Sequence, residues 1–514
     1  MASRKTYASL NFLILLLFIL SSCSDSDFKY SVRPVLNPNG NAPLTAILNV
    51  SANQPYSATV KVLGETEIEQ SYGEVSDNFS VPVLGLYPNR TNLVVLNLQH
   101  ENGQTTDTIR IPTAPLPNHF PIIEVNKVNR EKMEPGLHMA DTHFANFGEF
   151  LSAPIIFDDE GQVRWYLDLS FEGKMLGPFQ KLKDGYILVG GRHKLYKYDM
   201  LGKRVKTMEI NPYYGMHHDI VELPNGQLLI PIGTRDANIE VNGETIVTDS
   251  DFIMLFDPET SRIVKQWDMA KHLDVIRDEM DYFKQEDWLH MNGLAFVEKD
   301  SSIIVSGRNQ GIAKISWNDE LKWILSPKQG WGKAGRNMNG INTNEFLLTA
   351  VNKDGEPYPK DVQAGKVSPE DFDFSWGPHA PKLLPNGNLI LFDTGAYRNF
   401  GHENRYSRAV EYAINEGDKT VKQIWQYGKE RGDELYSMIV SDVDYLPQTE
   451  NILVTAGYLT PKTNHSGKIV EVDPDTNEEV FEATLYFKTI SGDKSPKWGQ
   501  TDILYRSERM KLEY

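Results

Sequence analysis

The stretch that decides the fold is HDIVELPNGQLL at residues 218–229, which recurs as HAPKLLPNGNLI at residues 379–390. A third copy, GPFQKLKDGYIL, occupies residues 177–188, and looser copies begin at His290 and Ser441. Each copy predicts a strand, a tight turn of the Asn-Gly or Asp-Gly type and a second apolar strand. The unequal spacing of the copies is typical of propeller blades that carry insertions of different length.

Five copies and one further unit predict a six-bladed β-propeller over residues 122–514. We expect residues 121–167, closed by a C-terminal strand at 501–505, to supply the sixth blade. Residues 28–111 contain short alternating strands separated by turn-forming residues, which indicates a small β-sandwich acting as a spacer or docking module. Residues 112–121 contain four prolines and are expected to be a linker. The predicted fold is all-β, with a small N-terminal β-sandwich domain ahead of the propeller.

The first residues predict export. Residues 1–22 contain a short basic region and an apolar run that is too short to span a bilayer, as in a signal peptide. Cys23 follows Leu-Ser-Ser, which is the pattern of a bacterial lipoprotein whose cysteine is lipidated, and residues 23–27 would form a polar tether. The alternative is an ordinary signal peptide. We therefore expect a lipid-anchored protein in the periplasm or on the outer membrane or cell surface.

Composition excludes several classes of function. Cys23 is the only cysteine, so the mature chain has no disulfide, no cysteine nucleophile and no thiolate metal site. The formal net charge of −18 argues against nucleic acid as a partner. It does not prevent the binding of a small anion, because that depends on the local field. The sequence leaves a homodimer open.

Aligning the copies on their turns brings three histidines to one register position. Gly177, His218, His290, His379 and Ser441 all stand at the equivalent place, where inner strands of successive blades begin. In a propeller such positions converge on the mouth of the central channel. A single histidine near a turn is usually a polar surface residue. Three at one position, among 12 in the chain, indicate a site.

A second register carries arginines. Arg192, Arg235, Arg308 and Arg398 follow four of the copies at similar offsets. Salt bridges between blades are the alternative interpretation for three of them. Arg308 differs because residues 306–310 are polar where a blade strand should continue apolar, and such a departure favours a functional site.

The combination of histidines and arginine favours an anion over a metal. Three imidazoles would suit zinc or copper, but a guanidinium cannot deprotonate and would repel the ion, so we expect no metal and no cofactor. Guanidinium donors match the oxygens of sulfate or phosphate esters, and neutral imidazole is a nucleophile or general base. Five aromatic residues near these positions are candidate walls for a flat substrate: Tyr213, Tyr214, Trp288, Phe374 and Trp376.

Several motifs together resemble the bacterial arylsulfate sulfotransferases. They are HHD at 217–219, DWLHMN at 287–292, SGRNQ at 306–310, the segment from His379 to DTG at 393–395, and YSRAVEY at 406–412. The resemblance covers the predicted propeller, and the preceding sandwich suits the family's N-terminal domain. It implies an exported enzyme that needs no nucleotide sulfate donor. Such an enzyme moves a sulfuryl group from an aryl sulfate onto a histidine and then to a phenol.

The resemblance also assigns roles to residues. His379 matches the transiently sulfated histidine, and His290, Asn292 and Arg308 match the neighbours that hold the sulfuryl oxygens. The implied mechanism is ping-pong, in which the neutral imidazole of His379 attacks sulfur and a phenolate leaves. His218 or His290 would handle the proton of the phenol. The expected partners are therefore a small aryl sulfate donor, a phenolic acceptor and, through the anchor, a membrane.

Some assignments stay open. The family's remaining active-site histidine falls on His217 or His218, and the register argument selects His218. Ser441 stands where some members have a hydroxyl residue, which is a looser match. The disulfide of some members is absent. A hydrolase of the same ester, a non-catalytic binding propeller at the cell surface and a metal enzyme are the alternatives.

Overall fold

The computed structural model describes residues 28–75, 78–146, 149–171, 177–241, 244–277, 285–401, 405–459, 465–488 and 502–514. The predicted signal peptide, the lipidation site Cys23 and the tether lie outside these residues. Within the described ranges, no helix has the length and apolar character needed to cross a membrane. Strands dominate, and the chain is all-β as the sequence predicts.

The N-terminal domain consists of two antiparallel sheets. Its strands are β1 (Tyr30–Leu36), β2 (Ala46–Ala52), β3 (Tyr56–Val62), β4 (Ile68–Val75), β5 (Asn78–Val83), β6 (Thr91–His100) and β7 (Gly103–Pro112). The strand orders are β1-β2-β5 and β4-β3-β6-β7. Every second residue of β3 is buried, so one face of the sheet packs on a core and the other meets solvent. This is the β-sandwich that the sequence predicts.

Strands of the second part of the chain follow in order. The first are β8 (Ile122–Val128), β9 (Leu137–Asn146), β10 (Glu149–Phe157), β11 (Val163–Tyr166), β12 (Phe179–Lys181), β13 (Ile187–Gly190), β14 (Lys194–Tyr198), β15 (Arg204–Glu209), β16 (Gly215–Met216), β17 (Val221–Glu222), β18 (Leu228–Val241), β19 (Glu244–Asp257) and β20 (Arg262–Asp268). The next are β21 (Met291–Val297), β22 (Ser302–Gly307), β23 (Gly311–Ser316), β24 (Leu321–Leu325), β25 (Thr349–Ala350), β26 (Pro378–Leu383), β27 (Leu389–Asp393), β28 (Arg408–Asn415) and β29 (Thr420–Tyr427). The last are β30 (Asp442–Tyr445), β31 (Ile452–Leu459), β32 (Ser466–Val472), β33 (Glu479–Tyr486) and β34 (Ile503–Met510). The short helices are α1 (Lys360–Gln363) and five 3₁₀ turns at Met269–Lys271, Gln285–Asp287, Thr343–Phe346, Arg398–Phe400 and Lys429–Glu434.

These strands form six sheets within the described residues. Their orders are β11-β10-β9-β34, β12-β13-β14-β15, β16-β18-β19-β20 with β17 also on β18, β21-β22-β23-β24, β25-β29-β28-β27-β26 and β30-β31-β32-β33-β8. Pairing is antiparallel except between β25 and β29. The count of six blades stays a prediction of the repeat.

The ring of sheets is closed by both ends of this part of the chain. The C-terminal strand β34 is the innermost strand of the first sheet, and the main-chain N–H of Ser441 in the last sheet donates to the carbonyl of Tyr505 at 3.2 Å. The sequence predicts a closing strand at 501–505, and the described strand runs from Ile503 to Met510. The assignment of residues 121–167 to one blade is wrong. β8 instead pairs with β33 as the outermost strand of the last sheet, and only β9 to β11 belong to the first.

The sandwich shares a hydrophobic core with the propeller. Buried residues of β2, β3 and β6 pack in one cluster with residues of the first and last sheets, including Phe144 and Leu453. Arg164 of β11 donates to the carbonyl of Gly85 at 2.8 and 3.0 Å and lies over the ring of Tyr87 at 3.6 Å. The domain therefore docks on its own propeller.

Candidate active site

A left-handed residue marks the start of several inner strands. The φ angle is +65° at His218, +50° at His290 and +87° at Ser441. In the fifth sheet the left-handed residue is Ala380, with φ +48°, directly after His379. Residues with a Cβ rarely adopt this conformation, which costs about 1–3 kcal/mol. Because such strain persists only where the surroundings impose it, its repetition at the predicted register position makes these residues the candidate site.

The inner strands are irregular beside these residues. Residues 217–220, which include His218, separate β16 from β17, although both strands pair with β18. The register of β21 against β22 shifts just after His290, and that of β26 against β27 shifts just after His379. Interruptions of this kind re-aim side chains and are common next to active sites.

His218 and His290 face each other from neighbouring sheets, with ring centroids 4.9 Å apart. Nδ1 of His290 lies 2.6 Å from Oδ2 of Asp287. Burial opposes the ionisation of Asp287, but the hydrogen bond from His290 and the nearby positive charges hold its pKa below the ordinary value. An ionised carboxylate only accepts hydrogen bonds, so Nδ1 of His290 carries a hydrogen. Nε2 of His290 is therefore the ring nitrogen that is left to accept or release a proton.

His379 is buried and neutral. Its Nδ1 lies 3.1 Å from the carbonyl oxygen of Gly377, which can only accept, so Nδ1 carries the hydrogen and Nε2 carries the lone pair. Burial and then the positive charge of Arg308 lower the pKa of His379 to about 3. At neutral pH the imidazole is unprotonated at Nε2, which is the state that a nucleophile requires.

Arg308 brings a cation to the three imidazoles. Its main-chain N–H donates to the carbonyl of His290 at 3.1 Å, and Nη2 donates to the carbonyl of Met438 at 3.3 Å. Its Nε is buried with no hydrogen-bond partner among the described residues. Burial lowers the pKa of Arg308, yet a guanidinium remains charged at neutral pH. A half-buried guanidinium with unused donors is matched by an oxyanion.

Asn292 links the fourth sheet to the strand that carries His379. Its Nδ2 donates to the carbonyl of Pro378 at 2.8 Å, and Oγ of Ser306 donates to the same carbonyl at 2.9 Å. Oδ1 of Asn292 is buried without a hydrogen-bond partner in the described part of the chain. Asn292, His379 and Ser441 line one cavity of about 410 Å³. Asn292 therefore supports the backbone just before His379, and its contact with a sulfuryl oxygen stays a prediction.

The two open assignments differ in their surroundings. The ring of His217 stands edge-on to His218 at 5.1 Å, and its Nε2 is 4.0 Å from Oδ1 of Asp251. His217 is thus turned towards Asp251, whereas His218 faces His290, as the register argument requires. Ser441 uses its hydroxyl locally: Oγ donates to Ser437 Oγ at 2.8 Å and accepts from the main chain of Gly457 at 3.0 Å.

The four arginines at equivalent positions of the repeat do not come together at one site in the described structure. Arg398 is buried in ion pairs with Asp373 and, at 2.9 Å, with Asp393, so it stabilises its own sheet. Arg192 is exposed, and the side chain of Arg235 lies outside what the structure describes. Of the four, only Arg308 is placed with the histidines by a described contact.

Most of the aromatic residues that the sequence suggests as walls for a flat substrate are core residues. Trp288 is buried and donates its indole N–H to the carbonyl of Asp249 at 3.0 Å, and Phe374 packs in the core between the fourth and fifth sheets. Trp376 is buried as well, and Tyr214 packs edge-on against Phe252. Tyr213 is 59% exposed and remains available to a ligand.

Two residues that contact the site are not among those that the sequence predicts for it. Asp287 stands three residues before His290 within a quoted motif, and this spacing is the signal that could have indicated it. Tyr505 lies on the predicted closing strand, and its hydroxyl is 2.8 Å from Nδ1 of His218. Its partner is too far away in sequence for any local pattern to indicate the contact.

The arrangement suits attack on an anionic ester. Three imidazoles and one guanidinium converge, and burial lowers the pKa of His218 far below its ordinary value, with His290, His217, His379 and Arg308 acting in the same direction. Among the described residues, no group of three or more His, Cys, Asp or Glu side chains has an arrangement that could hold a metal ion. A buried neutral imidazole, a carboxylate-paired imidazole and a guanidinium thus meet at one place.

Comparison with known proteins identifies the family of the chain. Residues 122–493 match the family model of the arylsulfotransferase (ASST) family, and residues 34–114 match the arylsulfotransferase Ig-like domain. Arylsulfate sulfotransferase AssT of Lelliottia amnigena is 28% identical, covering 86% of this chain and 88% of the relative. Arylsulfate sulfotransferase AssT of Escherichia coli O6:H1 is 27% identical, covering 93% of each. A solved structure of a protein of unknown function from Bacteroides caccae is 11% identical with a TM-score of 0.40, covering 73% of this chain and 100% of that one. Because the first family model covers more than half of the sequence, the chain belongs to the arylsulfotransferase family.

Proposed function

We propose that the protein transfers a sulfuryl group from an aryl sulfate ester to another phenol, through a covalent intermediate on His379. The observation that carries the proposal is the neutral, buried imidazole of His379 beside a guanidinium with unused donors. The names of the two relatives support the reaction class. No nucleotide donor and no metal take part in the proposed reaction.

In the first half-reaction Nε2 of His379 attacks sulfur. The N–S bond forms while the bond between sulfur and the aryl oxygen breaks, and the bonding pair leaves on the phenolate. His290, protonated at both nitrogens and paired with the carboxylate of Asp287, delivers the proton on Nε2 to the departing oxygen and becomes neutral. In the second half-reaction His290 takes the proton of the acceptor phenol, whose oxygen attacks the sulfur and releases His379. Each phenol thus exchanges one proton with His290.

Arg308 stabilises the charge on the sulfuryl oxygens during both steps. Its Nη2 is held by the carbonyl of Met438, in the segment before the last sheet, so the guanidinium needs little reorganisation during the reaction. Asn292 and His218 are the further proposed contacts to these oxygens.

The test is product analysis with a nitrophenyl sulfate as donor. We expect nitrophenol release that depends on an added phenol and yields the sulfated phenol without a nucleotide. Release that is equally fast without acceptor, with free sulfate as product, would identify a hydrolase instead. No release from a panel of aryl sulfates would favour a binding propeller.

We also propose that the protein is exported and anchored through a lipid on Cys23, on the basis of the leader sequence alone. The full-length chain expressed in a bacterium should incorporate labelled palmitate and sediment with membranes. The Cys23→Ser variant should lose the label. Label retained in that variant would contradict the proposal.

A further inference from the structure

The C-terminal strand does more than close the ring, because it contacts His218 directly. The register of β34 against β9 shifts between Leu504 and Arg506, so Tyr505 is the extra residue of a bulge. Bulges turn a side chain away from its regular direction. Here the hydroxyl of Tyr505 lies 2.8 Å from Nδ1 of His218, and the two rings are nearly parallel at 6.0 Å. The innermost strand of the first sheet thus reaches a residue of the third.

The next residue of the strand holds the backbone of His218. Nη2 of Arg506 donates to the carbonyl of His218 at 2.8 Å, and Nη1 donates to Oδ1 of Asp219 at 3.0 Å. Oδ2 of Asp219 accepts from the main chain of Leu294 in the fourth sheet at 2.9 Å. Because His218 has a left-handed φ, it needs contacts of this kind to keep its conformation. One strand therefore fixes both the backbone and the ring of His218.

The direction of the hydrogen bond follows from the chemistry of the two groups. Burial raises the pKa of Tyr505 well above its ordinary value. The positive charge of Arg506 lowers this pKa, and three carboxylates raise it further: Asp219, Asp141 and Asp442. The phenol therefore keeps its hydrogen. A neutral phenol can donate or accept, but the only hydrogen bond that the described residues offer this hydroxyl leads to Nδ1 of His218, so donation is the direction that gives its buried hydrogen an acceptor. A neutral imidazole has one N–H, and a nitrogen that accepts from a phenol leaves that hydrogen on the other nitrogen. His218 then carries its hydrogen on Nε2.

We propose that Tyr505 is a positioning residue that donates to Nδ1 of His218 and so holds this histidine as a fixed N–H donor to the sulfuryl group. This inference rests on the proposed function. It separates the roles of the three imidazoles by their partners. The carbonyl of Gly377 makes His379 a nucleophile, the carboxylate of Asp287 makes His290 the proton carrier, and the phenol of Tyr505 makes His218 a donor. The strand that closes the ring of sheets, β34, therefore also supplies a residue that positions the site.

The tautomer can be observed without substrate. Long-range ¹⁵N–¹H correlation spectra of full-length protein labelled at its 12 histidines should show an Nε2–H pattern for His218, assigned through the His218→Gln variant. The pattern should change in Tyr505→Phe and persist in Tyr166→Phe. Tyr166 is a matched control because both tyrosines are 6% exposed and belong to the same sheet. An Nδ1–H pattern in the wild type, or no change in Tyr505→Phe, would overturn the proposal.

Kinetics supply the second readout. Tyr505→Phe should lower kcat about tenfold, the size expected for one neutral hydrogen bond that orients a donor, and Tyr166→Phe should not. His218→Gln, which keeps an N–H, should retain more activity than His218→Leu. Equal loss in both His218 variants would show that an N–H at this position does not support activity and would overturn the donor role. Failure of the wild type to transfer sulfuryl groups would refute the proposed function, whereas the tautomer spectra test the positioning separately.

Discussion

Replacing Asp287 with asparagine tests the assignment of His290 as the proton carrier. The substituted amide keeps the shape of the carboxylate but loses its charge, and its nitrogen can donate to Nδ1 of His290. Without the carboxylate the doubly protonated imidazole is no longer stabilised, so His290 loses the extra proton that the leaving oxygen needs. The 2.6 Å contact between Asp287 and His290 is a hydrogen bond to a charged group. Bonds of this class contribute about 1.5–3 kcal/mol, which corresponds to a rate loss of roughly 10- to 150-fold.

The assay uses a series of aryl sulfates whose phenols differ in acidity. In a ping-pong reaction kcat/KM for the donor reports only the first half-reaction, so the need for a proton on the leaving oxygen can be isolated. A nitrophenol leaves without a proton, and Asp287→Asn should lower kcat/KM little for that donor. The loss should grow towards the full value as the phenol becomes less acidic.

A second Asp–His pair provides the control. Oδ1 of Asp319 lies 2.8 Å from Nε2 of His272, away from the site. Asp319→Asn should leave kcat/KM unchanged for every donor. The reasoning is refuted if Asp287→Asn lowers kcat/KM equally for all leaving groups, because the carboxylate would then act on folding or binding and not on proton transfer.

Three further predictions concern charge and burial. Arg308→Leu should lower kcat by about 10²–10³-fold, as expected for a preorganised oxyanion donor, and a rise in KM alone would indicate uniform substrate binding instead. Burial lowers the pKa of His379 to about 3 and that of His217 to about 4, whereas both take up protons near pH 6.5 when unfolded. The free energy of unfolding in urea should therefore fall as the pH drops from about 6.5 towards 4. His379→Asn should reduce the dependence of this free energy on pH by up to about 1.4 kcal/mol per pH unit. An unchanged pH dependence would contradict the assignment of His379 as a buried, neutral histidine. Asp393 is fully buried between Arg398 and Arg408, and Asp393→Asn should lower the free energy of unfolding by about 3 kcal/mol. A loss below about 1 kcal/mol in a urea titration would show that the carboxylate is not needed there.

The repeat predicts the sheets because each copy carries its own turn. An Asn-Gly or Asp-Gly turn between two apolar strands is a local signal, and it correctly indicates the hairpins that follow Gly177, His218 and His379. β8 could not be assigned in this way because an outermost strand has no turn of its own, and its pairing with β33 joins distant parts of the sequence. Length and alternation alone could not tell which sheet it would join.

The site was predictable to the extent that it lies on equivalent positions of the repeat. His218, His290 and Arg308 come together because the register brings them together. Asp287 is close to His290 in sequence, and its spacing could have indicated the pair. Tyr505 could not be found in this way, since its contact with His218 depends on how the ring closes.

The central claim is that His379 carries the sulfuryl group, and intact mass spectrometry tests it most directly. The protein is mixed with an aryl sulfate without acceptor, and its mass is measured. The adduct is then located by peptide mapping at alkaline pH, where the N–S bond of a sulfated imidazole is better preserved. We predict one SO₃ unit on His379, lost on addition of a phenol and absent from the folded His379→Asn variant. An adduct on another residue, an adduct that persists in His379→Asn, or turnover by that variant at the wild-type rate would contradict the account.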